Sequence, residues 1–185
     1  MQIYLLDLGG RALLPLAELP HVGAVITPNE AEASYRERVE QLLRELSDLV
    51  ERRKTILGDA RADTLLAYNA ANPHAALPAV VLAIDNFTEF VETFGRTVEG
   101  GESGLERLVA LARQSRPYGV HLLITAGQPM QIPSQLANFL TERIALRLSD
   151  ATHYRDAVGV TSVEPVDLPG MRVDGLIFAD ERLVA

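Results

Sequence analysis

The sequence of 185 residues lacks cysteine and tryptophan, and it contains few other aromatic residues. Without cysteine the chain cannot form a disulfide, a thiolate nucleophile or a sulfur-ligated metal centre. Aromatic residues make up 5% of the chain, whereas 48% of its residues are hydrophobic. A core of the size expected for one domain must therefore be built mainly from Leu, Val, Ile and Ala, which suits packed helices and buried parallel strands.

Lysine is also scarce, since Lys54 is the only lysine among the 17 basic residues. A phosphate-binding loop of the G-x-x-x-x-G-K-[ST] type needs a lysine that reaches the β- and γ-phosphates of the nucleotide. Lys54 instead follows Arg53 in a predicted helix, so this motif is absent from the sequence. We therefore expect the chain by itself to hydrolyse ATP poorly.

Two further absences concern DNA and membranes. The formal net charge is −8, which argues against a broad DNA-binding surface, because duplex binding relies on Lys and Arg to neutralise phosphates. No apolar run reaches the roughly 18 residues that a membrane span needs, and the N-terminus has no signal-peptide pattern. The sequence predicts a soluble, cytoplasmic piece of a parent protein that could itself associate with a membrane.

Short apolar runs that end in turn signals predict a series of strands. They cover residues 3–6, 22–26, 78–84, 120–126, 143–148 and 175–179. Helices are predicted between them, the longest from an N-cap at Thr27 and a first-turn Pro28 to a terminating Gly58. Strands that alternate with helices predict an α/β fold with a largely parallel sheet and helices on both faces.

Polar side chains follow three of these strands. Asp7 and Asp85 end two apolar runs, and Thr125 and Gln128 follow a third. We expect all of them at one edge of the sheet, because ligands of open α/β sheets bind at the carboxyl ends of the strands. There Asp85 could hold Mg²⁺ beside a nucleotide triphosphate, or it could simply cap the helix that follows.

Several segments, taken together and in order, resemble the FtsK/SpoIIIE family of motor ATPases over residues 2–180. These are QIYLLDLGG, LPHVGAVIT, a long helix ending in VERRK, LPAVVLAIDNF, ARQSRPYGVHLLITAGQP and ERIALRLSD. The pair PHVGAVIT and YGVHLLITA is the most distinctive part. The resemblance implies a RecA-like P-loop NTPase fold, a three-layer sandwich, in a protein that works as a ring. In this family FtsK and SpoIIIE pump double-stranded DNA, and EccC-type proteins drive type VII secretion.

The resemblance also implies roles for individual residues. Asp85 matches the Walker B aspartate, which binds Mg²⁺ through water, and Asn86 stands where hydrolytic members carry a glutamate that polarises the attacking water. An amide cannot accept that proton, so hydrolysis is in doubt at this site. ATP and Mg²⁺ are thus the expected cofactors of the intact parent protein, with neither bound tightly by this chain.

Three more residues receive roles from the same resemblance. Thr125 and Gln128 lie in a stretch similar to the family segment that senses the γ-phosphate, although here its order is TAGQP. Together with Asp7 they are the predicted cofactor-binding residues. Arg116, or alternatively Arg113, could act as a finger on the nucleotide of a neighbouring subunit, or it could be a solvated arginine at a helix end.

We expect residues 1–185 to form one partial ATPase domain that begins after the strand of its phosphate-binding loop. That strand is internal in RecA-like domains, so its loss would leave a sheet edge unpaired and predicts self-association or a rearranged edge. The predicted partners are neighbouring ATPase subunits, with double-stranded DNA or a secreted protein as the substrate of the parent. No membrane span is expected.

Two other functions compete with that of a motor fragment. The first is a degenerate, non-catalytic module that packs against catalytic neighbours or binds a secretion-signal peptide, as the acidic charge and Asn86 would allow. The second is a receiver-like signalling domain, which also gathers acids and a threonine at a sheet edge. A receiver needs a lysine after its last strand, whereas Lys54 lies in the middle of the chain.

Overall fold

The computed structural model describes residues 1–28, 32–97, 101–145, 151–158 and 177–178. The chain divides into two compact units, Met1–Ala126 and Gly127–Ala185. The assignment of residues 1–185 to a single partial domain stays a prediction.

The first unit alternates strands and helices, as the apolar runs predict. Its elements are β1 (Gln2–Asp7), β2 (Val22–Ile26), α1 (Glu32–Asp59), α2 (Leu65–Ala71), β3 (Val80–Asp85), α3 (Phe87–Phe94), α4 (Gly104–Gln114) and β4 (Val120–Ile124). Short 3-10 helices cover Leu14–Glu18, Pro73–Ala75 and Arg116–Tyr118. The predicted strands therefore form within one or two residues of their expected bounds.

The four strands of this unit make one sheet in the order β2-β1-β3-β4, and every neighbouring pair is parallel. The predicted parallel sheet is confirmed here. Within the part of the chain that the structure describes, β4 pairs only with β3, so its outer edge is open. Leu123 on this strand is 56% exposed, which is unusual for a leucine in such an apolar run. Whether this edge drives self-association stays a prediction.

Helix α1 differs from its predicted bounds at both ends. It begins at Glu32, and Thr27 and Pro28 precede it outside the helix. Gly58 lies within the helix, and the left-handed residue that ends it is Arg61, with φ 54°. The N–H of Ala62 donates to Leu57 and that of Arg61 to Gly58, which is the Schellman pattern of helix termination. The prediction was wrong because glycine is favoured but not required at this position.

The core of the first unit is aliphatic on the sheet and aromatic on α3. Phe87 and Phe90 are fully buried and stack with ring centroids 5.4 Å apart.

A buried arginine joins α1 to the sheet. Arg53 is 3% exposed and donates from Nη1 to Tyr118 O at 2.6 Å and from Nη2 to Pro78 O. These carbonyls precede β4 and β3, so Arg53 fixes α1 at the amino ends of the two strands. Burial lowers the pKa of this guanidinium, with a smaller effect from the charge of Arg52.

The second unit holds short elements, namely α5 (Ser134–Ala137), β5 (Ile144–Ala145), α6 (Ala151–Val158) and β6 (Ile177–Phe178). Strands β5 and β6 pair antiparallel, so the prediction of a largely parallel sheet does not extend to them. Both are shorter than the predicted 143–148 and 175–179, parts of which lie outside the described residues. Helix α6 was not predicted from the sequence.

Helix α1 has 28 residues, which is long enough to cross a bilayer, but charged side chains recur along it. None of the helices in the described ranges combines the length and the hydropathy of a membrane span.

Candidate magnesium and nucleotide site

Asp85 is the last residue of β3, and its half-buried carboxylate lies at the carboxyl edge of the parallel sheet. Its Oδ1 accepts a hydrogen bond of 2.7 Å from the hydroxyl of Thr125, the residue that follows β4. The alternative role as a helix cap is not supported: α3 begins at Phe87 with Asn86 as its N-cap, and no side chain caps it. The carboxylate is therefore oriented by the neighbouring strand and not by the helix.

Thr125 is held in place by three backbone-linked hydrogen bonds. Its N–H donates to Ile84 O at 3.0 Å, and its carbonyl accepts from the N–H of Phe87 at 2.9 Å. Its hydroxyl also accepts from the N–H of Asn86 at 3.0 Å while it donates to Asp85. One hydroxyl thus connects the end of β4, the carboxylate of β3 and the first residue of the next loop.

Asn86 adopts a left-handed backbone conformation, with φ 61° and ψ 70°. Asparagine tolerates this region better than most residues with a side chain, and glutamate is less suited to it. The side-chain amide of Asn86 donates to Leu8 O at 3.4 Å, so it points back towards the loop after β1. The backbone at position 86 therefore suits an asparagine, and the glutamate that hydrolytic family members are expected to carry there is absent.

Asp7 lies opposite Asp85 in the register of β1 and β3, as expected for two strand-ending acids, but it is fully buried. Its Oδ1 accepts from the N–H of Arg11 at 3.0 Å, and its Oδ2 accepts from the N–H of Leu13 at 2.8 Å. Both oxygens are engaged by the loop that follows the strand. The contacts therefore give Asp7 a role in shaping that loop, and direct contact with a cofactor stays a prediction.

The loop after Asp7 contains the residues that sequence reasoning missed. A Cβ atom on Gly9 would lie 2.5 Å from Asp85 Oδ2, so any other residue at this position would displace the carboxylate. Gly10 and Arg11 have φ 137° and 71°, and with Pro28 they line a cleft of about 270 Å³. The Gly9-Gly10 pair, one residue beyond the acid that ends β1, is a sequence signal of a tight turn. Its approach to Asp85 depends on the pairing of β1 with β3.

Among the predicted residues of the first unit, Arg116 does not join this cluster. Arg116 lies in the 3-10 turn before β4, at the opposite edge of the sheet from Asp85 and Thr125. A role on the nucleotide of a neighbouring subunit stays a prediction, whereas contact with Asp85 of its own chain is excluded by this placement. Gln128 belongs to the second unit, where its N–H donates to Gln131 Oε1 at 2.9 Å and begins a 3-10 helix.

The donor set suits a weakly held Mg²⁺. Among the described residues, no group of three or more His, Asp or Glu side chains is placed to enclose a metal ion. Mg²⁺ keeps several of its waters and commonly binds through one or two carboxylates together with substrate phosphates. A single partly exposed carboxylate held by Thr125 fits that pattern, and a metal of this kind would depend on the nucleotide for the rest of its ligands.

The sequence that carries these elements matches a known protein family. The sequence profile of the FtsK/SpoIIIE family covers residues 1–179 of the chain. This chain belongs to the FtsK/SpoIIIE family. Its curated relatives within the family include the ESX-4 secretion system protein EccC4 of Mycobacterium tuberculosis, which is 31% identical over 173 residues.

Solved structures of FtsK/SpoIIIE relatives confirm the fold. EssC (ATPases 2 and 3) from Geobacillus thermodenitrificans superposes with a TM-score of 0.75 at 24% identity, over 96% of this chain. EccC (ATPases 2 and 3) from Thermomonospora curvata, in complex with a signal sequence peptide, gives 0.74 at 24% identity over the same share. The predicted P-loop ATPase fold is therefore confirmed.

This chain is much shorter than these relatives. The match to EccC4 covers 92% of this chain but 13% of that protein, and the chain spans 31% of each of the two solved structures. The family and the fold are thus established for these 185 residues, whereas the substrates and partners of the longer proteins are not transferred by the similarity alone.

Proposed function

We propose that this chain is the magnesium-binding part of an FtsK/SpoIIIE-type motor ATPase domain, and that it does not hydrolyse ATP by itself. The observation that carries the proposal is the hydrogen bond between Asp85 and Thr125 at the carboxyl edge of the parallel sheet. It supports a carboxylate with one oxygen oriented by Thr125 and the other, Oδ2, facing the loop after β1. Asp85 would hold Mg²⁺ through water, and the metal would offset the charge of the nucleotide phosphates.

The position of Lys54 supports the second half of this proposal. Its ammonium donates to Glu51 Oε1 on helix α1 at 2.6 Å and to Gln114 Oε1 on helix α4 at 3.0 Å. These contacts hold the lysine at the helix surface and away from the strand ends that carry Asp85. Hydrolysis would then require a phosphate-binding lysine from sequence outside these 185 residues, and in the parent ring Arg116 would face the nucleotide of the next subunit.

The names of the relatives favour protein secretion over DNA translocation as the work of the parent motor. EccC4 is a secretion system protein, and EccC of Thermomonospora curvata was solved with a signal sequence peptide. One relative is described as the cytoplasmic domain of EssC, which supports a cytoplasmic site for this chain too. We propose neighbouring ATPase subunits as its partners and a secreted protein as the substrate, with double-stranded DNA as the competing substrate.

The second candidate function is a degenerate module that binds a protein or signal peptide without hydrolysis. The conformation of Asn86 favours it, because the left-handed backbone and the contact with Leu8 O would have to change for a catalytic glutamate. A degenerate module and a motor fragment differ in one measurable property. Only the motor fragment gains ATP turnover when a phosphate-binding loop is supplied.

Metal binding can be tested on the chain as it is. Mn²⁺ replaces Mg²⁺ at oxygen sites and broadens nearby amide signals, so we expect it to broaden those of Asn86 and Gly9 in a nitrogen-15 correlation spectrum. The broadening should disappear in Asp85→Asn and persist in the matched control Asp63→Asn, an exposed acid outside the site. Equal broadening in wild type and Asp85→Asn would contradict the metal assignment.

Turnover is tested on the chain together with its natural upstream sequence. If that sequence provides a G-x-x-x-x-G-K-[ST] loop, ATP hydrolysis should appear, depend on Asp85, and increase in Asn86→Glu only if the backbone accepts the change. DNA and signal peptides are then added separately to identify the stimulating substrate. No turnover with the loop present would reject the motor and favour the degenerate module.

A further inference from the structure

The loop after β1 presents a positive charge at the edge of the proposed metal site. Arg11 is exposed and lines the cleft together with Gly9, Gly10 and Pro28. Among the described residues that line this cleft, it is the only basic one. Among the described residues, its guanidinium forms no ion pair or hydrogen bond. The charge is therefore available to a ligand.

The backbone of Arg11 is fixed although its conformation disfavours a side chain. Its φ of 71° lies in the left-handed region, where glycine is the usual residue. The buried carboxylate of Asp7 holds the N–H of Arg11 at 3.0 Å and that of Leu13 at 2.8 Å. The loop thus carries an arginine at a position where glycine would be less strained, which indicates a role for the arginine side chain.

Unbonded backbone donors lie beside this arginine. In the described part of the chain, the N–H groups of Gly9 and Gly10 have no hydrogen-bond acceptor, and both residues line the cleft. Successive free N–H groups in a turn form concave sites for anions. Guanidinium groups bind phosphate with paired, charge-assisted hydrogen bonds. Together the loop offers the donors that a phosphate group requires.

Two acids lie close enough to oppose an anion, and both are accounted for. Asp7 lines the cleft but is fully buried, and each of its oxygens accepts a backbone N–H of the loop, so its negative charge is partly offset there. Asp85 adjoins Gly9, and Mg²⁺ bound there would turn its repulsion into attraction. A ligand that carries both Mg²⁺ and phosphate therefore satisfies the whole edge, with the metal at Asp85 and a phosphate at Arg11.

We propose that Arg11 and the N–H groups of Gly9 and Gly10 form a phosphate subsite for the polyphosphate of a magnesium nucleotide. This inference rests on the proposed function, because it places the phosphates next to the metal at Asp85. The subsite is distinct from a phosphate-binding loop of the lysine type and belongs to these 185 residues. Its affinity is weak in isolation, so millimolar concentrations of ligand are needed to observe it.

The 185-residue chain is titrated with inorganic tripolyphosphate at constant ionic strength, and binding is monitored in nitrogen-15 correlation spectra. We expect saturable shifts of the Gly9, Gly10 and Arg11 amides, and tighter binding when Mg²⁺ is present. Arg11→Gly should weaken binding about tenfold, in line with the loss of a charge-assisted contact, while Arg11→Lys weakens it less. ATP tests the nucleotide form of the same ligand.

The chain offers a matched control in Arg61, which is exposed, left-handed with φ 54°, and located at the end of α1. Arg61→Gly removes the same charge and the same backbone strain without touching the cleft, and it should leave tripolyphosphate binding unchanged. Both glycine variants should melt no lower than wild type, which verifies folding. Equal affinity of wild type and Arg11→Gly, equal weakening in both variants, or no saturable shift in wild type would overturn the subsite.

The two proposals fail separately. If Mn²⁺ causes no broadening that depends on Asp85, while tripolyphosphate still binds and its binding depends on Arg11, the metal site is rejected and the phosphate subsite is kept. Broadening that depends on Asp85, combined with phosphate binding that ignores Arg11, would reject the subsite alone.

Discussion

The hydroxyl of Thr125 provides the sharpest test of the site. It donates to Asp85 Oδ1 at 2.7 Å and accepts from Asn86 N–H at 3.0 Å. Thr125→Val keeps the shape of the side chain and removes both hydrogen bonds. A bond to a charged acceptor contributes about 1.5 kcal/mol when partly exposed and a neutral one about 0.5–1 kcal/mol, so we expect a loss of about 2 kcal/mol. Thr125→Ser keeps the hydroxyl and should lose less than half of that.

Urea unfolding followed by circular dichroism measures the free energy of unfolding, and the midpoint should fall at unchanged slope. The amide of Asn86 gives a local readout, because about 2 kcal/mol of lost protection corresponds to roughly 30-fold faster hydrogen exchange. Thr55→Val is the matched control, since Thr55 is exposed and its hydroxyl makes only a 3.5 Å contact with Glu51 O. If Thr125→Val and Thr125→Ser behave alike, or if both match the control, the hydroxyl does not organise this site.

Three further predictions concern buried polar groups. Asp7→Asn replaces one acceptor by a donor that faces a backbone N–H, so urea unfolding should show a loss of about 2–3 kcal/mol and the Arg11 amide should exchange faster. Arg53→Met leaves buried carbonyls before β3 and β4 without their donor and should cost about 3 kcal/mol in the same assay, more than Arg52→Met on the exposed side of α1. Tyr35 is 4% exposed and its hydroxyl has no hydrogen-bond partner among the described residues, so Tyr35→Phe should stabilise the chain by about 1 kcal/mol at neutral pH.

Tyr35 also predicts a pH dependence. Burial, with a smaller effect of Glu89, raises the pKa of its phenol to about 12, whereas an unfolded tyrosine ionises near 10. The folded state therefore holds the proton more tightly, and its contribution to stability is lost as the pH rises from about 10 to about 12. Unfolding measured at pH 8 and pH 11 should show a larger alkaline loss in wild type than in Tyr35→Phe. An identical pH dependence of the two proteins would contradict the assigned burial.

Much of the fold was predictable because the apolar runs of buried parallel strands are read directly from sequence. Strand β2 was placed at its observed bounds, and β1, β3 and β4 within one or two residues. The helix boundaries were less predictable. Gly58 was the natural terminator of α1, but the structure ends the helix at Arg61 with a Schellman pattern, since backbone hydrogen bonds there outweigh the preference for glycine.

The sequence by itself determined the family, the parallel α/β class and the set of acids at the strand ends. It did so because strand-ending acids and turn residues are local patterns that do not depend on their partners. Tertiary structure decided which of these groups meet. Pairing of β1 with β3 and of β3 with β4 brings Gly9 and Thr125 to Asp85 and buries Asp7, while the direction of β4 sends Arg116 to the opposite edge. Contacts between strands far apart in sequence are set by pairing and register, and a single sequence does not encode these in any local pattern.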